Sequence, residues 1–176
     1  MIKIQIPATS ANLGAGFDAL GLALTYYNYI EMEECDKIDI TAADGLDIPT
    51  DERNLIYISA KDLFAVCGKK LEGLKLIQTS NIPMARGLGS SSACIIAGLV
   101  GANKMLGDPL TKDDLVDLAA QIEGHPDNTA PALLGGIVTA VFDERKVHWV
   151  KQEVFTKLKF VAIIPCLLYT SDAADE

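Results

Sequence analysis

The stretch that most constrains this chain is Pro83–Ala93, P-M-A-R-G-L-G-S-S-S-A, which empties directly into the apolar run Ala93–Ala102. Gly87 and Gly89 let the backbone enter conformations closed to other residues and can bring successive N–H groups close to a bound anion. The three serines that follow stand where a helix begins. One of them can cap it, while the first-turn N–H groups and the helix dipole face any negative charge in the loop. Such a turn belongs at the mouth of a buried helix, and it reads either as a phosphate cradle or as a plain Gly/Ser cap.

The rest of the chain bears on that choice. With 176 residues, 49% of them hydrophobic, it can bury a sizeable core, as expected of one globular domain with at most a fragment of another. Fifteen basic residues against 24 acidic ones leave a formal charge of −9. That balance argues against a nucleic-acid surface and provides no polybasic patch for anionic membrane. A phosphorylated ligand would therefore need backbone N–H groups, a metal and local cations such as Arg86. The longest apolar run, Ala93–Ala102, falls short of the ~20 residues that cross a bilayer. Cys35, Cys67, Cys94 and Cys166 have no C-x-x-C spacing and no signal peptide opens the chain, which reads as a cytoplasmic, reducing environment with no membrane partner.

In chain order, Ile2–Pro7 alternates apolar and polar residues and reads as a first strand that Pro7 stops. Within Ala8–Gly21, G-A-G-F-D-A superficially matches the dinucleotide fingerprint G-x-G-x-x-[GA]. That fingerprint must open a helix, whereas Ala23–Glu33, rich in Tyr, Thr and Ile, reads as a strand. The segment is thus a polar loop between strands, holding Asn12 and Asp18 either as turn formers or as ligands. Lys37–Ala43 is a short strand, Gly45–Asp51 a connection, Asn54–Val66 a helix with Gly68 as C-cap, and Leu71–Thr79 a strand that delivers the chain to the glycine loop.

Thr111 and Asp114 form a capping box, opening a helix whose inward stripe is Leu115, Leu118, Ala119 and Ile122. It ends in E-G-H-P-D-N, Glu123–Asn128. Gly124 and Pro126 break the backbone there and display Glu123, His125, Asp127 and Asn128. Asp127 and Asn128 serve equally well as N-cap of a short helix, Thr129–Leu134. Gly135–Phe142 is a strand, Val147–Val150 its hairpin partner, and Leu158–Ile164 a last strand.

A small-molecule kinase needs a phosphate cradle, a metal-holding carboxylate and a means of placing an acceptor hydroxyl, since phosphoryl transfer is mostly positioning and charge stabilisation. Gly87–Ala93 suits the first, Glu123 with a loop serine could hold Mg²⁺, and Asn12, Asp18, His125, Asp127 and Asn128 could bind a small polar substrate. G-x-x-x-x-G-K-[ST] occurs nowhere, so this is not a P-loop NTPase. Two rivals remain. G-S-S-S-A with His125 and Asp127 suggests a serine hydrolase, although two-residue spacing on an irregular segment should make an Asp–His contact awkward. The chain could also be a binding domain without catalysis.

Three stretches, P-A-T-S-A-N-L-G-A-G-F-D-A-L-G-L-A-L (Pro7–Leu24), Pro83–Ala93 and E-G-H-P-D-N-T-A-P-A-L-L-G-G (Glu123–Gly136), resemble the homoserine kinases, a branch of the GHMP small-molecule kinase superfamily. The resemblance runs from about Met1 to Pro165. It implies an α+β fold, with a left-handed β-α-β amino domain similar to domain 2 of ribosomal protein S5 over 1–165, possible entry into a ferredoxin-like carboxyl domain near 158–165, and the rest of that domain missing. It implies ATP-dependent phosphorylation of the L-homoserine hydroxyl in threonine biosynthesis. Pro83, Met84, Ala85, Arg86, Gly87, Leu88, Gly89, Ser90, Ser91, Ser92 and Ala93 would then bind ATP phosphates, with Ser91 or Ser92 and Glu123 on Mg²⁺. Asn12, Asp18, His125 and Asp127 would line the amino-acid pocket, Asn128 would orient the acceptor hydroxyl, and whether Asp127 acts as a base stays open. Another GHMP alcohol kinase, of the mevalonate type for example, would keep the cradle and change the pocket.

After Phe160–Pro165 the chain departs from that pattern. Cys166–Glu176, C-L-L-Y-T-S-D-A-A-D-E, is expected to be foreign, similar to translated adapter read-through at the end of a gene fragment. A further glycine-rich motif and substrate-gripping arginines would lie beyond the break, so weak or absent turnover is expected. Oligomeric state is not legible in these residues; a homodimer of the full-length enzyme is carried as an expectation.

Overall fold

The computed structural model describes residues 1–143, 145–153 and 159–163. Its organising strand is β2, Leu20–Glu34, where Thr25, Tyr26, Tyr27, Tyr29 and Ile30 favour extended backbone. β2 is long enough to serve two partners: β4, Leu74–Thr79, runs antiparallel to Tyr29–Glu34, and β5, Ile137–Asp143, antiparallel to Leu20–Leu22. β1, Ile2–Ala11, pairs with β2, while β3, Ile38–Ala42, pairs in parallel with β4 and β6, Lys146–Gln152, closes a hairpin on β5. The result is a six-stranded mixed sheet, β3-β4-β2-β5-β6, with β1 attached to β2.

Four helices supply the α layer: α1, Leu55–Val66; α2, Ser90–Met105; α3, Lys112–Glu123; and α4, Thr129–Leu134. α1 connects the parallel neighbours β3 and β4 as a β-α-β unit. Strand alternation sorts the sheet faces: Ile4, Ile6, Ile30, Met32, Leu74 and Leu76 are buried, whereas Lys3, Tyr29 and Lys75 lie on the more open face. α2 is buried along Ala93, Ile95, Ile96, Leu99 and Ala102, as its all-round apolar sequence predicts. Among the described residues no helix is long and apolar enough to cross a membrane.

The expected termini hold where a cap exists. Asn54 accepts from the N–H groups of Ile56 and Tyr57, Gly68 closes α1 with φ 68°, and Thr111 with Asp114 forms the capping box of α3.

Two expectations fail. Pro7 does not stop β1, which continues to Ala11. β1 has only β2 as partner among the described strands, so a residue without an N–H is tolerated at its outer edge. Leu158–Ile164 is not a strand over its described part: residues 159–163 carry no regular structure and pair with none of the described strands, and extended backbone without a ladder gains no pairing energy. Leu158, Ile164 and Cys166–Glu176 lie outside the described residues. β4 also begins at Leu74, three residues after the expected Leu71.

Candidate active site

The glycine loop enters α2 through alternating left-handed residues: Ala85 at φ 53°, Gly87 at 67° and Gly89 at 65°. That alternation suits a concave row of N–H groups. The strain at Ala85, about 1–2 kcal/mol for a residue with a Cβ, was not foreseen. The loop is held from both ends: Ile82 N–H donates to buried Asn28 Oδ1 at 2.8 Å, and Leu88 C=O accepts from Thr9 N–H at 3.1 Å. A Cβ at Gly87 would meet open space, whereas one at Gly89 would lie 1.9 Å from Thr9 Oγ1.

The expected serine cap is absent. Gly89 occupies the N-cap position with no side-chain hydrogen bond, because its left-handed backbone already turns the chain into the helix. The serines serve elsewhere: Ser91 Oγ donates to Glu123 Oε2 at 3.3 Å and Ser92 Oγ to Glu123 Oε1 at 3.1 Å. Glu123 is the last residue of α3, with Gly124 at φ 97° behind it. Burial pushes the Glu123 carboxyl above its ordinary value, against the opposing pull of the Ser92 hydroxyl and of His125. Burial and the neighbouring Glu123 likewise push the Cys94 thiol up to about 11.

Beyond Gly124, His125 Nδ1 lies 2.6 Å from Asp127 Oδ1, and Asp127 is only 2% exposed. The contact that two-residue spacing was expected to make awkward is therefore made, because Gly124 and the bend at Pro126 fold the segment back on itself. The Asp127 hydrogen bond raises the His125 pKa against partial desolvation, with Glu123 and Asp18 adding to the rise. The serine hydrolase reading loses its main element: the Ser91 and Ser92 hydroxyls bond Glu123, and no serine hydrogen bond to His125 is seen among the described residues.

Asn128 stands at the N-cap of α4 without capping it. Its Oδ1 instead accepts from Thr9 Oγ1 at 2.7 Å, and its Nδ2 faces Asp127 Oδ1 at 3.4 Å. Gly21 of β2 packs so near that a Cβ there would lie 1.8 Å from the Asp127 carbonyl oxygen. Asn12 and Asp18 lie in the β1–β2 loop, both left-handed, with Asn12 Oδ1 accepting from Asp18 N–H at 2.8 Å. The Asn12 carboxamide oxygen thus shapes its own loop, while Asp18 reaches the rest of the cluster through its field at His125. A cavity of about 270 Å³ beside the loop is lined by Ser10, Leu22, Arg86, Leu88 and Phe160, among others.

Three distant segments are brought together at one place. One carboxylate flanked by two hydroxyls is a set of hard oxygen donors that suits Mg²⁺ held mainly by water and phosphate oxygens. It does not suit a metal caged by protein alone, and among the described residues no three His, Cys, Asp or Glu cluster around a metal position. Sequence reasoning missed Thr9; the only signal was its hydroxyl inside the first motif, since nothing local shows that it meets Asn128, 119 positions away.

Residues 54–136 match the family model described as the GHMP kinases N terminal domain. A homoserine kinase of Petrotoga mobilis is 45% identical over 99% of this chain and 58% of its own length, so the chain spans somewhat over half of that relative. A solved structure from Listeria monocytogenes aligns with TM-score 0.77 at 38% identity, covering 98% of this chain and 63% of that one. The crystal structure of homoserine kinase from Cytophaga hutchinsonii gives 0.73 at 29% identity, covering 98% and 62%.

Proposed function

We propose that this chain, whose residues 54–136 match the model described as the GHMP kinases N terminal domain, belongs to that family and forms the nucleotide half of a homoserine kinase, which transfers the γ-phosphoryl of ATP to the hydroxyl of L-homoserine. The observation that carries the reading is the convergence of Ser91 and Ser92 on Glu123 at the mouth of the glycine loop. In this arrangement the loop N–H groups and the α2 N-terminus hold the β- and γ-phosphates. Glu123 with Ser91 and Ser92 would hold Mg²⁺, which supplies charge neutralisation on those phosphates.

Asn128 orients the acceptor, while Asn12, Asp18, His125 and Asp127 line its pocket. The acceptor oxygen forms the new bond to the γ-phosphorus as the bond to the bridging oxygen breaks and ADP leaves. Asp127 either takes the hydroxyl proton itself or holds His125 in place while the proton passes to an oxygen of the transferring phosphoryl group, and the kcat–pH profile of Asp127→Asn separates the two roles. Free Cys35, Cys67 and Cys94 are consistent with a cytoplasmic setting.

The test is transfer from γ-labelled ATP to a panel containing homoserine and mevalonate by a full-length version, with Mg²⁺–nucleotide binding to this chain measured in parallel. O-phosphohomoserine as the preferred product, with binding weakened at least about tenfold by Ser92→Ala, supports the reading; roughly tenfold is the loss expected of one hydrogen bond to a charged group. Preference for mevalonate moves it to another alcohol kinase, and absence of any nucleotide binding overturns it.

A further inference from the structure

Resting on the kinase reading above, we propose that Thr9 is a positioning residue that locks the Asn128 carboxamide in one orientation and fixes its distance from the glycine loop. The pairing of β1 with β2 is irregular at Ala8. Ala8 and Thr9 are both fully buried, so both faces of β1 are covered at this point. Pro7 stands opposite Tyr27 and Thr9 opposite Ala23, so Ala8 spans Leu24, Thr25 and Tyr26 and the extra residues lie on β2. This register shift places Thr9 opposite Ala23 where an unbroken ladder would place it opposite Thr25.

So placed, Thr9 makes three contacts at once. Its N–H donates to Leu88 C=O of the glycine loop at 3.1 Å, its hydroxyl donates to Asn128 Oδ1 at 2.7 Å, and Gly89 packs against that hydroxyl too closely for any Cβ. The Asn128 orientation follows from what its neighbours can offer. A carboxylate only accepts, so the amide nitrogen must face Asp127 and the amide oxygen must face Thr9, which then has to donate. Without the hydroxyl, Oδ1 of the half-buried Asn128 loses its protein partner and the amide is free to turn. In-line transfer is sensitive to errors of about 1 Å, which can lower rates on the order of a hundredfold.

The test compares Thr9→Val, which keeps shape and removes the hydroxyl, with Thr9→Ser, which keeps the hydroxyl. In the ligand-free chain, the ¹H–¹⁵N signals of the Asn128 side-chain NH₂ shift in Thr9→Val and stay near wild type in Thr9→Ser. In phosphoryl transfer by the protein extended to the full length of its relatives, Thr9→Val lowers kcat at least about tenfold with KM for ATP within about twofold, and Thr9→Ser restores it. Unmoved Asn128 signals in Thr9→Val, or equal losses in both variants, overturn the proposal. If Thr9→Val does not fold, Thr9→Ala gives the same readouts. A wild-type chain that neither binds nucleotide nor transfers phosphoryl overturns the kinase reading alone, because the Asn128 signals still decide the contact.

Discussion

Glu123 holds an ionisable group where ionisation is disfavoured, with two hydroxyls as partial compensation. A carboxyl whose folded pKa is raised stabilises the fold most when protonated; the penalty appears above the ordinary carboxylate value and grows as pH rises through the folded one. Glu123→Gln should therefore melt higher than wild type at pH 7 to 8, and the difference should close as pH falls below about 4.5. The same variant should lose Mg²⁺-dependent nucleotide binding. A melting curve unchanged at neutral pH would show that Glu123 is better solvated than its surroundings indicate. In sequence, Glu123 was legible as a candidate because Gly124 and Pro126 mark an irregular segment. Its partnership with both serines was not, because that depends on where the end of α3 meets the start of α2.

At the scale of elements, the two loop glycines separate conformation from packing. Both are left-handed, so alanine at either costs about 1–2 kcal/mol of backbone strain. Only Gly89 also abuts Thr9. Urea unfolding should show Gly87→Ala losing about that amount and Gly89→Ala losing more, about 3 kcal/mol or above once the clash is added. Equal losses would mean that the loop relaxes freely around Thr9. Helix α2 repeats the theme at Gly98, where a Cβ would lie 2.4 Å from the Ile56 carbonyl oxygen of α1, so the two helices pack backbone to backbone. Periodicity made α1, α2, α3 and the β5–β6 hairpin legible, since each carries its pattern within one segment. It failed at Pro7, where an edge position overrides a local stop signal, and at residues 159–163, where extended propensity finds no partner strand.

Over the whole molecule, the formal charge of −9 opposes binding of a polyphosphate, so attraction must be local. On the proposed reading, the glycine loop, the α2 terminus and Glu123 with Ser91 and Ser92 would be local devices of that kind. A ligand bound only by the folded chain stabilises it by mass action, about 2.7 kcal/mol at a hundred times Kd. For a chain of this size Mg²⁺–ATP at that excess should raise Tm by about 5–10 °C. ADP without Mg²⁺ should raise it less. No shift with nucleotide at millimolar concentration would remove the phosphate site from the molecule.

The sequence by itself determined the segments that carry chemistry and the type of most elements, because turn glycines, caps and apolar periods act within a few residues. Only the tertiary structure decided that Ser91 and Ser92 turn away from capping toward Glu123, that Asp127 holds His125, and that Thr9 reaches Asn128. The His125 contact depends on how Gly124 and Pro126 fold one short segment, while the other two join segments 32 and 119 positions apart, and close approach at such separations leaves no local pattern to read.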